Sequence, residues 1–160
     1  MLLNHGLSGA LYLYSMQIIP LPSEHFETAI ALLKQNNLPI EDISSGTQLF
    51  IAEENNEVLG TIGVEYDFND ALLRSLSVNT NKRNKGIGLS LVNFIEDYVQ
   101  KQGVENIYLL TTTAADFFSR HDYQEISRDS IPPFIMQSSE FTSICPSTAI
   151  VMKKELHKLH

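Results

Sequence analysis

Apolar residues recur along this chain with two different periods. Phe26, Ala29, Ile30 and Leu33 fall at i, i+3, i+4 and i+7, which predicts an amphipathic helix with Ser23 as its N-cap and Asn36-Asn37 as its stop. The apolar runs at 49–52, 58–64 and 71–78 read as strands instead, bounded by the turn clusters Glu54-Asn55-Asn56-Glu57 and Asp67-Phe68-Asn69-Asp70. Turns this short imply an antiparallel meander. The helical period returns after Lys85, where Ile87, Leu91, Phe94, Ile95 and Tyr98 share one face and Gly103 stands at a C′ position. A buried strand over 106–111, a short helix over 114–120 and strands over 123–128 and 148–155 complete the pattern, with 129–146 as a loop. Together with a first strand at Gln17-Ile18-Ile19, the order is βαβββαβαββ. It predicts one mixed α/β domain whose mostly antiparallel central sheet holds a parallel pair in its second half and is flanked by helices.

Composition narrows this picture. At 160 residues, with 43% hydrophobic and 19% charged positions, the chain reads as a single soluble globular domain and is too apolar to be disordered. A net charge of −8 argues against nucleic acid as a partner. Cys145 is the only cysteine, so no internal disulfide and no multi-cysteine zinc site can form, in keeping with a reducing cytoplasm. The five histidines lack metal-ligand spacing, and no metal is expected. Residues 1–15 contain no Lys or Arg and are interrupted by Asn4, His5, Gly6 and Gly9. They read as neither signal peptide nor membrane span, and are set apart as a loose extension or a start-site artefact ahead of the domain at 16–160.

Candidate chemistry centres on Lys82-Arg83-Asn84-Lys85-Gly86-Ile87-Gly88, between a strand and the start of the long helix. Three of the eleven basic residues crowd into this window, where the helix macrodipole disfavours cations unless an anion compensates. Gly86 and Gly88 allow close approach to the backbone, so the first-turn N–H groups can cradle a phosphate or pyrophosphate. A solvated basic loop is the plainer alternative. A Walker A loop is excluded because no Gly-Lys-Ser/Thr follows, and a dinucleotide fingerprint lacks its third glycine and its acidic residue.

On these residues the chain resembles the GCN5-related N-acetyltransferase (GNAT) superfamily. The family's Arg/Gln-x-x-Gly-x-Gly/Ala motif is matched by Arg83, Asn84, Lys85, Gly86, Ile87 and Gly88, after Leu76-Ser77-Val78 on the strand that holds pantetheine in the family. Phe117-Phe118 followed by Asp122-Tyr123 is similar to the family's Phe-Tyr-x-x-x-Gly-Phe. The resemblance spans about residues 17–156. Leu72 to Val78, Tyr108 to Ala114, and Glu140-Phe141 with Cys145-Pro146 further resemble acetyltransferases associated with bacterial arsenic-resistance operons.

The resemblance implies a GNAT-like domain that uses acetyl-CoA as co-substrate, without a metal, and acetylates a small-molecule amine, an arsenic-containing or related toxic amino compound being one candidate. It places cofactor contacts at Leu76, Ser77, Val78, Arg83 to Gly88, Phe117 and Phe118, and acceptor contacts at Arg74, Ser75, Glu140 and Cys145. Phe118 stands where many members carry the tyrosine that protonates the leaving thiolate. That departure keeps open a CoA-binding sensing module without turnover, beside an acetyltransferase of protein N-termini or lysines. Glu65 and Arg74 lie on strands joined by a short turn and should approach each other, as a structural ion pair or as part of the acceptor site, with Glu65 the candidate base. Acidic residues accumulate between Lys34 and Arg74, as solvated turns or as an acidic mouth for a cationic amine. Cys145 reads as a small buried residue or a soft contact for arsenic. A cytoplasmic location without membrane contact is expected, and a homodimer is compatible with the sequence.

Overall fold

Seven strands form one sheet in the order β1-β2-β3-β4-β5-β7-β6. They are β1 (Gln17–Pro20), β2 (Gln48–Glu54), β3 (Glu57–Tyr66), β4 (Asp70–Val78), β5 (Asn106–Thr111), β6 (Gln124–Ile126) and β7 (Ile150–Glu155). The computed structural model describes residues 15–41, 43, 46–144 and 148–157. Every strand pair is antiparallel except β4–β5, the parallel pair expected in the second half. That parallel ladder is brief: it matches Asp70, Ala71 and Leu72 with Asn106, Ile107 and Tyr108, beyond which the two strands part.

Strand alternation sorts the side chains onto the two faces of the sheet. Ala71, Leu73, Ile107 and Leu109 join the larger cluster, which also holds Leu91, Ile95 and Val99 of α2 (Ile87–Lys101) and Phe118 of α3 (Ala115–Ser119). Leu72 and Tyr108, one residue out of step, face the opposite side, toward Ile131 and Ile135. On that side Ala29 and Leu32 of α1 (Phe26–Gln35) also pack, against Ile51 and Val58. The helices therefore flank the sheet on both faces.

Two local expectations change. Ser23 does not cap α1; it opens a 3₁₀ turn, Ser23–His25, and His25 takes the cap position without a side-chain cap bond. The imidazole is occupied elsewhere, since buried His25 meets Glu53 at 2.9 Å and pins the helix start to β2. The expected loop over 129–146 also holds helical turns among its described residues. It contains α4 (Pro133–Met136), started by proline at its first positions, and a π-helical turn, Glu140–Ile144. Ile135 is fully buried, and its contact with Leu72 and Tyr108 holds this segment against the sheet. Of the N-terminal segment, residues 1–14 lie outside the described residues, whereas the Ser15 hydroxyl donates to Glu54 at 2.7 Å. Among the described residues no helix is long and apolar enough to cross a membrane.

Candidate functional site

Strand β4 opens the site by leaving the regular ladder. Thr61 pairs with Ser77 but Gly63 pairs with Arg74, so β4 carries an extra residue between them. Ser75 sits in this bulge at φ +59°, and Thr61 Oγ1 donates to its carbonyl at 2.8 Å. Beyond the bulge, Asn79 N–H donates to Leu59 O at 2.9 Å. By antiparallel alternation Ser77 also addresses β3, so the backbone N–H and C=O of Val78 point away from β3, into the gap left by β5.

The basic window lies at the mouth of that gap. Gly86 caps α2 at φ +79°, a left-handed conformation that glycine adopts without a Cβ penalty. Ser90 N–H bonds Gly86 O, so the N–H groups of residues 87, 88 and 89 precede the helical ladder. A cavity of about 810 Å³ spreads from these groups to the outward side of β4. Leu76, Ser77, Val78, Arg83, Asn84, Gly86, Ile87, Gly88 and Phe117 line it, together with Lys82, Arg120 and His121. Lys85 does not. Nor does Phe118, which is 4% exposed and packs edge-on against Tyr123 at 5.3 Å within the core.

A second cavity of about 390 Å³ adjoins the first, sharing Leu38 and Thr113 as walls. Glu41, Glu140 and the threonines 111–113 line it, and no Lys or Arg does so among the described residues. Glu140 is buried there, on the π-helical turn. Of the other acidic residues between Lys34 and Arg74, Glu53 pairs with His25 and Glu54 accepts from Ser15. Glu65 meets the fully buried Arg74 side chain at 3.1 Å and accepts from Thr47 at 2.8 Å. Arg74 Nε also donates to Ser75 Oγ at 3.2 Å. Glu65, Arg74 and Ser75 thus form one cluster at the bulge and line neither cavity. Cys145 lies outside the described residues, and among those described no group of three or more His, Cys, Asp or Glu gathers as a metal site.

Several lining residues were not anticipated from sequence. Arg120 and His121 follow Phe117 by three and four positions, the helical spacing that would have placed them beside it, and the Phe117 and His121 rings stand 4.8 Å apart. Asn36, anticipated only as a helix stop, turns its carboxamide into the cavity wall. Thr113 carried no separate signal.

A mixed sheet thus opens beside a helix N-terminus, and a cavity lined by Lys82, Arg83 and Arg120 continues there into one that bears Glu41 and Glu140. Residues 45–125, from the approach to β2 through most of β6, match the family described as Acetyltransferase (GNAT) domain, and the chain belongs to that family. It is 36% identical over 84 residues to an uncharacterized N-acetyltransferase of Chlorobaculum tepidum, a match over 52% of this chain and 54% of that relative. Among solved structures, the N-acetylglutamate synthase of Neisseria gonorrhoeae, complexed with coenzyme A and N-acetyl-glutamate, superimposes with a TM-score of 0.76 at 17% identity. That superposition covers 89% of this chain and 35% of the synthase. A GNAT-family acetyltransferase of Staphylococcus aureus Mu50 gives 0.70 at 23% identity, over 89% of this chain and 99% of that one.

Proposed function

We propose that this chain transfers the acetyl group of acetyl-CoA to the amine of a small molecule. The observation that carries the reading is the shared wall at Leu38 and Thr113, which joins a cavity rich in cations to a smaller one that bears carboxylates. The larger volume lies within the range of cofactor pockets. Pyrophosphate rests on the N–H groups of residues 87–89 with Arg83 and Lys82 nearby, and the pantetheine arm runs along the outward backbone of Val78 as an added strand. The thioester then comes to the end of the gap between β4 and β5, where the amine enters from the second cavity.

The neutral amine attacks the thioester carbonyl; the C–N bond forms, the C–S bond breaks with coenzyme A leaving as its thiolate, and the proton lost by the nitrogen passes through solvent to that thiolate. Proximity of the two cavities supplies much of the rate. A thiolate with a pKa of about 8.5 leaves without an obligatory acid, in line with phenylalanine at position 118. Of the two carboxylates anticipated at the acceptor side, Glu140 lines the second cavity while Glu65 is bonded to Arg74 and Thr47. Glu140 is accordingly assigned to the incoming amine, and Glu65 to the bulge that it holds with Arg74.

An arsenic-containing amino compound is the narrower acceptor, supported by the resemblance of three segments to acetyltransferases of arsenic-resistance operons. Purified protein is incubated with acetyl-CoA and a panel of amines, and free thiol is measured. Amine-dependent thiol release is expected. Binding of acetyl-CoA without release by any amine would favour a sensing module, and absence of binding would overturn the reading.

A further inference from the structure

Four groups around the larger cavity are joined in a single chain of hydrogen bonds. Arg83 Nη2 donates to Asn36 Oδ1 at 2.7 Å, and Arg83 Nε reaches Val78 O at 3.4 Å. The Asn36 amide donates in turn to Ser77 Oγ, which donates to Leu32 O at 3.5 Å. The C-terminal end of α1, the open stretch of β4 and the turn that precedes α2 are thereby tied together through one carboxamide. Asn36, Ser77, Val78 and Arg83 all line the cavity.

Arg83 is exposed on its turn, and an unheld arginine there would sample many rotamers. Immobilising such a side chain during binding costs affinity, whereas a side chain already held does not lose it again. A guanidinium has five N–H donors; the two protein acceptors named engage Nε and one Nη2 hydrogen, leaving three donors for an anion. Asn36 suits the holding role because its side chain presents both an acceptor and a donor, so it can bond Arg83 and Ser77 together. Alanine could bond neither, and serine is too short to bridge both.

We propose that Asn36 is a positioning residue for the cofactor: it holds the Arg83 guanidinium across the cavity so that its remaining donors meet the pyrophosphate of acetyl-CoA. The assignment rests on the reading of the larger cavity as the cofactor site. Asn36 itself acts through Arg83 and touches neither the thioester nor the amine. Its effect therefore belongs in the affinity for the intact cofactor and not in the chemical step.

The test is a double-mutant cycle on acetyl-CoA affinity by calorimetry, with Asn36→Ala, Arg83→Ala and the double variant, accompanied by kcat/KM for acetyl-pantetheine, which lacks the pyrophosphate. Asn36→Ala is expected to raise the Kd for acetyl-CoA about three- to ten-fold, the worth of one rotamer-rich side chain. The loss should be larger for acetyl-CoA than for acetyl-pantetheine, and Asn36→Ala should add nothing to Arg83→Ala. Asn36→Ser, which keeps a polar side chain at the end of α1, should reproduce the result if the alanine variant folds poorly. Unchanged or tighter acetyl-CoA binding would overturn the proposal, as would an equal loss in the Arg83→Ala background or with acetyl-pantetheine. If Arg83→Ala alone left acetyl-CoA affinity intact, the cofactor-site reading would fail first and the positioning role with it.

Discussion

Gly88 and Asp70 give the two sharpest single-residue expectations. A Cβ at Gly88 would lie 3.7 Å from Val78 and 3.8 Å from Phe117, ordinary contact distances. An aspartate in the first turn also favours the macrodipole, so Gly88→Asp should melt at or above the parent temperature. The same carboxylate would face the pyrophosphate, and the Kd for acetyl-CoA should rise about tenfold or more, a cost of at least about 1.4 kcal/mol. Unchanged affinity in this folded variant would remove the glycine turn from the cofactor site. Asp70 is a question of pH. Burial pushes its carboxyl above the usual range, with Asp67 and Glu105 adding to the effect, while a hydrogen bond from Asn106 and the charge of Lys153 oppose it. A raised acid favours the native state while protonated, and that contribution is lost as pH rises through its folded pKa. Asp70→Asn should therefore be more stable than the parent at neutral pH, with the difference shrinking as pH falls through the raised pKa and lost below about pH 4. Urea unfolding at the two pH values decides it.

At the level of elements, β3 and β4 meet more closely than side chains allow. A Cβ on Gly60 would come within 2.7 Å of the Ser77 carbonyl and 3.1 Å of Leu91. Gly60→Ala should cost about 1–3 kcal/mol by denaturant melts, and should also weaken acetyl-CoA binding because the displaced carbonyl belongs to the cofactor strand. A melt matching the parent would show that the strands can shift freely. Most elements were legible from local pattern: the helical period of Ile87, Leu91 and Ile95 announced α2, and the apolar runs at 58–64 and 71–78 between short turn clusters announced the meander. The glycine turn was legible for a chemical reason, since three basic residues at a helix start ask for an anion. The cap at Ser23 was misread because a burial demand on His25, set by a strand distant in sequence, outweighed local capping preference. Asn36 belongs to the same class of difficulty, because its partners Arg83 and Ser77 come from remote segments and no spacing along the chain encodes such a meeting, whereas Glu140 was reached only through the family resemblance.

For the molecule as a whole, charge and connectivity point to separate experiments. The chain carries a net charge of −8, yet Lys82, Arg83 and Arg120 converge on the larger cavity. Attraction for the proposed polyanionic cofactor would thus be local and set against an unfavourable background. Because the Debye length is about 8 Å at physiological ionic strength, added salt should weaken acetyl-CoA binding markedly and acetyl-pantetheine binding little. Equal salt dependence for the two ligands would place the cations outside the site.

Connectivity matters most where β4 and β5 run side by side for only three matched positions. Four strands lie on one side of that junction and three on the other, so the sheet has a seam with few stitches along its length. Backbone groups exposed along the seam are those the pantetheine arm is proposed to engage, which would make the cofactor a temporary thread joining the two halves. Thermal midpoint should then climb with acetyl-CoA concentration, as binding linkage requires of any native-state ligand. The distinctive sign would be spatial: amide exchange should slow on the facing edges of β4 and β5 ahead of the remoter strands, so that the domain is mechanically most coherent when loaded and loosens along one line when empty.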